Sequence, residues 1–257
     1  MAKGIAITNQ KGGVGKTTST INIASSLAYN KQRVLLIDMD PQGNATMGSG
    51  VDKHKVAKSV NDVLMEQCAI DLAIINTKFN YDLLPGNADL TEAEVHLVTR
   101  EQRAQVLANA LNTVKDIYEF ILIDCPPSLN TLTLNALVAA DSVLIPMQCE
   151  YFALEGLADL ITTIDQVRQT VNPSLSIEGI LRTMYDVRSR LCADVSSQLL
   201  DHFAEKIYRT VIPRNVRLAE APSYGMPAMH YDRHSAGAAA YMVLAAEILN
   251  KQTMTME

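Results

Sequence analysis

This sequence contains no apolar run of the roughly 18 residues needed to cross a bilayer. Its first apolar segment, Gly4 to Thr8, is too short for the core of a secretory leader, so a cytoplasmic protein with no membrane partner is expected. The four cysteines, at 68, 125, 149 and 192, form no C-x-x-C pair, which argues against a zinc ribbon, a redox couple or a disulfide framework. They read as small core residues. His230 and His234 stand four apart with no third ligand nearby, too little for a metal site, and read as part of a polar loop entering the last helix. Basic charge is in short supply: 22 Lys and Arg against 28 Asp and Glu give a net charge of −6, which excludes a uniform nucleic-acid coat. Between residues 180 and 235 the balance reverses to eight basic against six acidic, so any DNA contact must be a local patch. There is also no internal repeat, low-complexity tract or long linker. At 257 residues and 48% hydrophobic content, one domain spanning 1–257 is expected.

What is present is an alternation. Short runs rich in Ile, Val and Leu, apolar at successive positions, suit strands buried on both faces of a parallel sheet. Strands are expected at Gly4–Thr8, Arg33–Asp38, Tyr81–Leu84, Phe120–Asp124, Ser142–Pro146, Ser176–Tyr185 and Lys206–Ile212. Helical patterns lie between them near Lys16–Tyr29, Thr91–Lys115, Leu129–Ala139, Leu154–Thr170 and Cys192–Phe203, with a last one at Ser235–Asn250. The expected fold is α/β, a doubly wound and mostly parallel sheet flanked by helices, with ligands gathered beyond the carboxyl ends of the strands. The stretch Gly48–Thr77 fits this alternation least, and its charge cluster at 52–58 reads as a mobile loop on a solvated surface.

The segment Gln10-Lys11-Gly12-Gly13-Val14-Gly15-Lys16-Thr17-Thr18 follows the first strand and opens a helix. Glycines there let successive backbone N–H groups turn inward, and the helix start adds partial positive charge, so the pattern predicts a phosphate-binding loop. Lys16 would reach the β- and γ-phosphates of a nucleoside triphosphate and Thr17 would hold Mg²⁺. The earlier lysine, Lys11, precedes the loop. It is either an exposed loop-entrance residue or a cation offered to a nucleotide bound by a second subunit.

Two further carboxylate groups end strands. Asp38 and Asp40, two apart in an extended chain, are expected on the same side, one supporting the Mg²⁺ shell and the other positioning the attacking water. The turn made by Pro41 and Gly43 suits a segment that senses the γ-phosphate. Asp124 ends the apolar run Ile121-Leu122-Ile123 and fits the acid behind a Mg²⁺-bound water. No glutamate follows it, so slow turnover is expected.

Taken together, KGGVGKTT at 11–18, DMDPQGN at 38–44, ILIDCPPS at 121–128 and VIPRNVRLAEAPS at 211–223 resemble the ParA/Soj chromosome-partitioning ATPases, a branch of the P-loop proteins with a deviant Walker A loop. The resemblance runs from Ile5 to about Ala246. It implies ATP and Mg²⁺ as cofactors, an ATP-dependent homodimer that binds DNA without sequence preference, and a ParB-type partner that stimulates hydrolysis and releases the dimer from DNA. It implies that Lys11 crosses the dimer, that Asp40 is the hydrolysis residue, and that Pro213 and Asn215 form the adenine site. For DNA it implies Arg217, with Arg188 or Arg190; the bland reading of each arginine is an ion pair with Asp186, Asp194 or Glu220.

The loop lies so near the first residue that no helix-turn-helix is expected ahead of it. The segment 249–257 has one basic residue and no amphipathic stripe, unlike the membrane-targeting tail of MinD. Alternative readings are a MinD-like or protein-cluster-positioning ATPase, a nitrogenase-reductase-like protein bridging an iron–sulfur cluster through Cys125 and Cys149, and a metabolic ATP-dependent enzyme.

Overall fold

The computed structural model describes residues 2–256. Eight strands among them form one sheet: β1 (Lys3–Ile7), β2 (Val34–Asp38), β3 (Ile75–Asn76), β4 (Asp82–Leu84), β5 (Phe120–Asp124), β6 (Ser142–Gln148), β7 (Ser176–Tyr185) and β8 (Ile207–Pro213). Their order is β3-β4-β2-β5-β1-β6-β7-β8. Every pairing is parallel except the short β3–β4 edge.

Both faces are covered, which explains the unalternating apolar runs. Leu35, Ile37, Ile121, Ile123, Val143 and Ile145 face one apolar layer. Their strand neighbours Val34, Leu36, Phe120, Leu122 and Leu144 face the other, built on the helices Lys16–Tyr29 and Ala236–Met256. Consecutive residues of one strand thus enter opposite cores, and none can be polar without burying an unpaired group. The last helix continues through most of the stretch read as a tail; Glu257 lies outside the described residues.

One expectation is corrected. The single helix expected over Thr91–Lys115 is two, Leu90–Val98 and Val106–Leu111. Gln102 between them adopts a left-handed backbone at φ 56°. Asn135, fully buried, holds the break: its amide donates to the Arg103 carbonyl at 2.7 Å and its Oδ1 accepts from Leu107 N–H at 3.2 Å. The stretch 48–77 divides at Ser59. Lys53, Lys55 and Lys58 lie on the surface, but Val60, Val63, Leu64, Ile70 and Ala73 are core residues. Ser59 and Asp62 cap the Val60–Leu64 helix reciprocally.

The chain order reverses around β1. It leaves β1 for β2, which lies beyond β5, and leaves β5 for β6, on the far side of β1. The crevice created at the carboxyl ends of β1, β2 and β5 is where an open α/β sheet collects ligands.

Candidate nucleotide site

The segment after β1 enters this crevice held from both sides. Asn9 donates to the Pro146 carbonyl at 2.8 Å and accepts from Lys11 N–H at 2.9 Å. Thr183, near the end of β7, donates its hydroxyl to the Val14 carbonyl at 2.7 Å. Gly15 starts the Lys16–Tyr29 helix with φ 88°, a conformation that would strain any side chain. Held this way, Gly12, Gly13, Gly15, Lys16, Thr17 and Thr18 line a cavity of about 300 Å³ together with Asp40, Asn44, Pro127 and Met184. The larger cavity of about 520 Å³ at the amino ends of the strands, around Gly4 and Asp141, has no such loop.

Lys16 is buried to 7% exposure, and its ammonium donates to the Lys11 carbonyl at 3.1 Å. Burial pushes its pKa down, while Asp124 and Asp40 among its neighbours hold it up. Lys11 itself points elsewhere: its Nζ pairs with Glu150, just past β6, and its side chain keeps 48% exposure.

The carboxylates do not behave alike. Asp38 and Asp124 end neighbouring strands in register, and both are fully buried. Burial pushes both pKa values up, and neighbouring carboxylates add to it, Asp38 and Asp40 acting on Asp124 and Asp40 on Asp38. Asp38 and Asp40 are expected on one side, and the structure gives them different partners. Asp38 Oδ2 accepts from the Thr46 N–H and hydroxyl, both at 2.7 Å, and its Oδ1 accepts from Asp40 N–H at 3.2 Å. Both oxygens are therefore occupied in anchoring the segment that follows β2. Thr46 Oγ1 also accepts from Gly86 N–H at 2.9 Å, and a Cβ at Gly86 would meet the Asp38 carbonyl at 2.3 Å. Asp40 lines the phosphate cavity, its Oδ1 accepting from Gln42 N–H at 2.9 Å.

Asp124 has the unfinished coordination. Thr20 Oγ1 lies 2.9 Å from its Oδ1. The Thr17 hydroxyl is close enough to lower its pKa, yet no well-aligned hydrogen bond reaches the buried Oδ2. An orphaned carboxylate oxygen beside a threonine hydroxyl and a lysine fits a hydrated divalent cation. No cluster of three or more His, Cys, Asp or Glu suited to a metal exists among the described residues. A cation here would thus complete its shell with phosphate oxygens and water.

A second recess of about 180 Å³ shares Gly15, Thr18 and Met184 with the first. Pro213, Asn215, Ile212, Leu218 and Tyr241 line it. Asn215 Oδ1 accepts from Arg217 N–H at 3.1 Å, capping the Val216–Glu220 helix, so its amide N–H₂ remains as the donor for a ligand.

The family model described as "AAA domain" matches residues 2–177. The sporulation initiation inhibitor protein Soj of Bacillus subtilis is 51% identical over 249 residues, covering 96% of this chain and 98% of Soj. The chain belongs to the ParA/Soj family. The chromosome partitioning protein ParA of Myxococcus xanthus is 47% identical over 250 residues, 97% of this chain and 88% of that protein. Among solved structures, cobyrinic acid a,c-diamide synthase from Mycobacterium smegmatis with bound ATP analog and magnesium superimposes with a TM-score of 0.87 at 36% identity, over 98% of this chain and 96% of that one. This ParA/Soj chain is an ATPase of P-loop type, and the expected fold stands.

For the residues assigned to DNA, the structure forms the ion pairs that were the bland reading. Arg188 is held by Asp186 through two bonds of 3.0 Å, which pull the Asp186 carboxyl down to about 2. Arg217 meets Glu220 at 2.8 Å and Asp232 at 3.3 Å. Arg190 reaches Asp194 only at 3.9 Å and is 95% exposed. Cys125 and Cys149 are buried in the core at 1% and 5% exposure, where neither can reach a cluster shared with another subunit. Among the described residues no helix is long and apolar enough to cross a membrane. Sequence reasoning missed Thr46, Gly86, Thr183 and Glu150; each acts through a partner 40 or more positions away, except that Thr46 also reaches Asp38 across eight.

Proposed function

We propose that this ParA/Soj chain is an ATP-gated DNA-binding switch for partitioning DNA, released from DNA by a ParB-type partner that stimulates hydrolysis. The observation that carries this is the phosphate cavity, where a glycine loop, the buried Lys16, Thr17 and Asp40 converge beside the orphaned Asp124 oxygen. The loop N–H groups and Lys16 bind the phosphates of ATP, and Pro213 with the free Asn215 amide receives the purine. Thr17 and Asp124 would hold Mg²⁺, which would supply positive charge beside the phosphates. Asp38 acts behind them, fixing Thr46 and so the segment that must sense the γ-phosphate. Asp40 orients the attacking water, and without a strong base beside Asp124 the turnover is slow.

Lys11 serves a second copy. In the single chain it rests on Glu150; in a pair of chains closed face to face over two nucleotides, it leaves Glu150 for the other copy's phosphates. Pairing also doubles the number of arginines on the DNA-facing surface, which links nucleotide state to DNA affinity. The experiment is retention of random-sequence DNA across a salt series with ATP, ADP and no nucleotide. Retention specific to ATP and weakening steeply with salt is expected; equal retention in all three states refutes the switch. The likeness to a structure described as cobyrinic acid a,c-diamide synthase favours a second reading, a metabolic ATP-dependent enzyme. Fast ATP turnover with a small acid as acceptor, indifferent to DNA, would establish that reading instead.

A further inference from the structure

Resting on the DNA-binding reading above, we propose that Arg214 is a DNA-phosphate contact, and the one arginine of that surface with no carboxylate to displace. Arg188, Arg190 and Arg217 each lie within 4 Å of an acidic side chain: Asp186, Asp194, and Glu220 with Asp232. A backbone phosphate reaching those guanidinium groups competes with a partner already in place. Among the described residues, Arg214 has no side-chain hydrogen bond or ion pair, and it is exposed. The same holds for one other arginine, Arg209, which lies within β8.

The position of Arg214 sets it among the other arginines. It follows the last residue of β8, and its N–H donates to the Tyr185 carbonyl at 3.2 Å, tying it to the end of β7 one residue before Asp186. Its charge reaches Asp186, contributing after Arg188 to the lowered pKa of that carboxyl. Three residues further on, Arg217 stands in the short helix capped by Asn215. Arg188, Arg214 and Arg217 therefore share one rim, at the carboxyl ends of β7 and β8. Arg209, five residues earlier along an extended strand, is roughly 16 Å from it.

The same residue also lines the recess assigned to the purine, beside Pro213 and Asn215. Nucleotide in that recess and a phosphate on the guanidinium would order one short segment from its two sides. The free cation is then placed where an ATP-dependent DNA site has use for it.

The test is fluorescence anisotropy of a labelled random-sequence duplex with the full chain in Mg-ATP, for the wild type, Arg214→Ala, Arg214→Lys and Arg209→Ala. Nucleotide affinity and ATP-dependent pairing are measured on each by calorimetric titration and sedimentation. Arg214→Ala is expected to weaken DNA binding about tenfold at low salt. It should reduce the slope of log K against log salt by roughly 0.9 per protomer, about 1.8 for the pair. Arg214→Lys should restore the slope, and Arg209→Ala should match the wild type. DNA binding by Arg214→Ala equal to wild type, or a loss shared equally by Arg209→Ala, overturns the assignment. So does a loss that follows a proportional drop in ATP affinity, which would make Arg214 a purine-recess residue. If the wild type itself holds no DNA in any nucleotide state, the functional reading fails and Arg214 falls with it.

Discussion

Removing the carboxylate that holds Lys11 should tighten the ATP-bound pair of chains. Glu150→Gln keeps size and polarity but abolishes the ion pair, leaving the Lys11 ammonium free to reach a second copy. The side chains are 48% and 43% exposed, so the pair belongs with surface ion pairs, worth about 0.2–1 kcal/mol each. Closing two chains breaks two of them. The gain is then about 0.4–2 kcal/mol, or about a 2- to 30-fold lower dissociation constant for the pair. Sedimentation equilibrium in Mg-ATP, with Asp40→Ala to block hydrolysis, measures that constant directly. Because the competing contact is electrostatic and half in water, the advantage should shrink towards nothing at 1 M salt, where screening acts within roughly 3 Å. An unchanged or weakened pairing constant at low salt would refute the idea that Glu150 competes for Lys11.

Lys16→Ala should lose nucleotide binding in a calorimetric titration; wild-type affinity would remove Lys16 from the phosphates. Asp40→Ala should bind ATP and persist as a pair on a sizing column while releasing no phosphate, and hydrolysis at the wild-type rate would clear Asp40. Arg217→Glu should abolish DNA retention without altering ATP-dependent pairing; normal retention at low salt would contradict its role. For pH, Asp38 and Asp124 have folded pKa values of about 6 and about 8, above the ordinary carboxylate value near 4, so the folded state binds more protons between them. Their contribution to stability is complete below about pH 4 and is lost as pH rises through those folded values. The nucleotide-free wild type should therefore melt at a lower temperature at pH 8 than at pH 6, and Asp124→Asn should flatten that dependence and raise the melting temperature at pH 8. A steeper dependence in the variant would reverse the assignment.

The sequence determined a good deal by itself, and for a physical reason. The phosphate loop is contiguous: its glycines, its lysine and its threonine do their work within ten residues, so their spacing carries the geometry. The doubly covered strands were legible in the same way, because burial on two faces forbids polar residues at any position of Leu35–Ile37 or Ile121–Ile123. The alternating strand and helix pattern then implied the sheet and the crevice.

What only the tertiary structure decided depends on partners distant in the chain. Asp38 and Asp40 look equivalent in sequence; Thr46 and Gly86 pull one carboxylate back into the protein and leave the other at the cavity. The helical pattern over 91–115 was real but was cut by Asn135, some thirty residues later, whose amide satisfies the backbone at the break. Lys11 has its resting partner 139 positions away in Glu150. Arg188, Arg190, Arg214 and Arg217 are alike in sequence, and only the folded chain assigns carboxylates to three of them and none to Arg214. Local spacing encodes what neighbouring residues do to one another; which charge meets which across the sheet is set by strand order and register, and those exist only once the chain has folded.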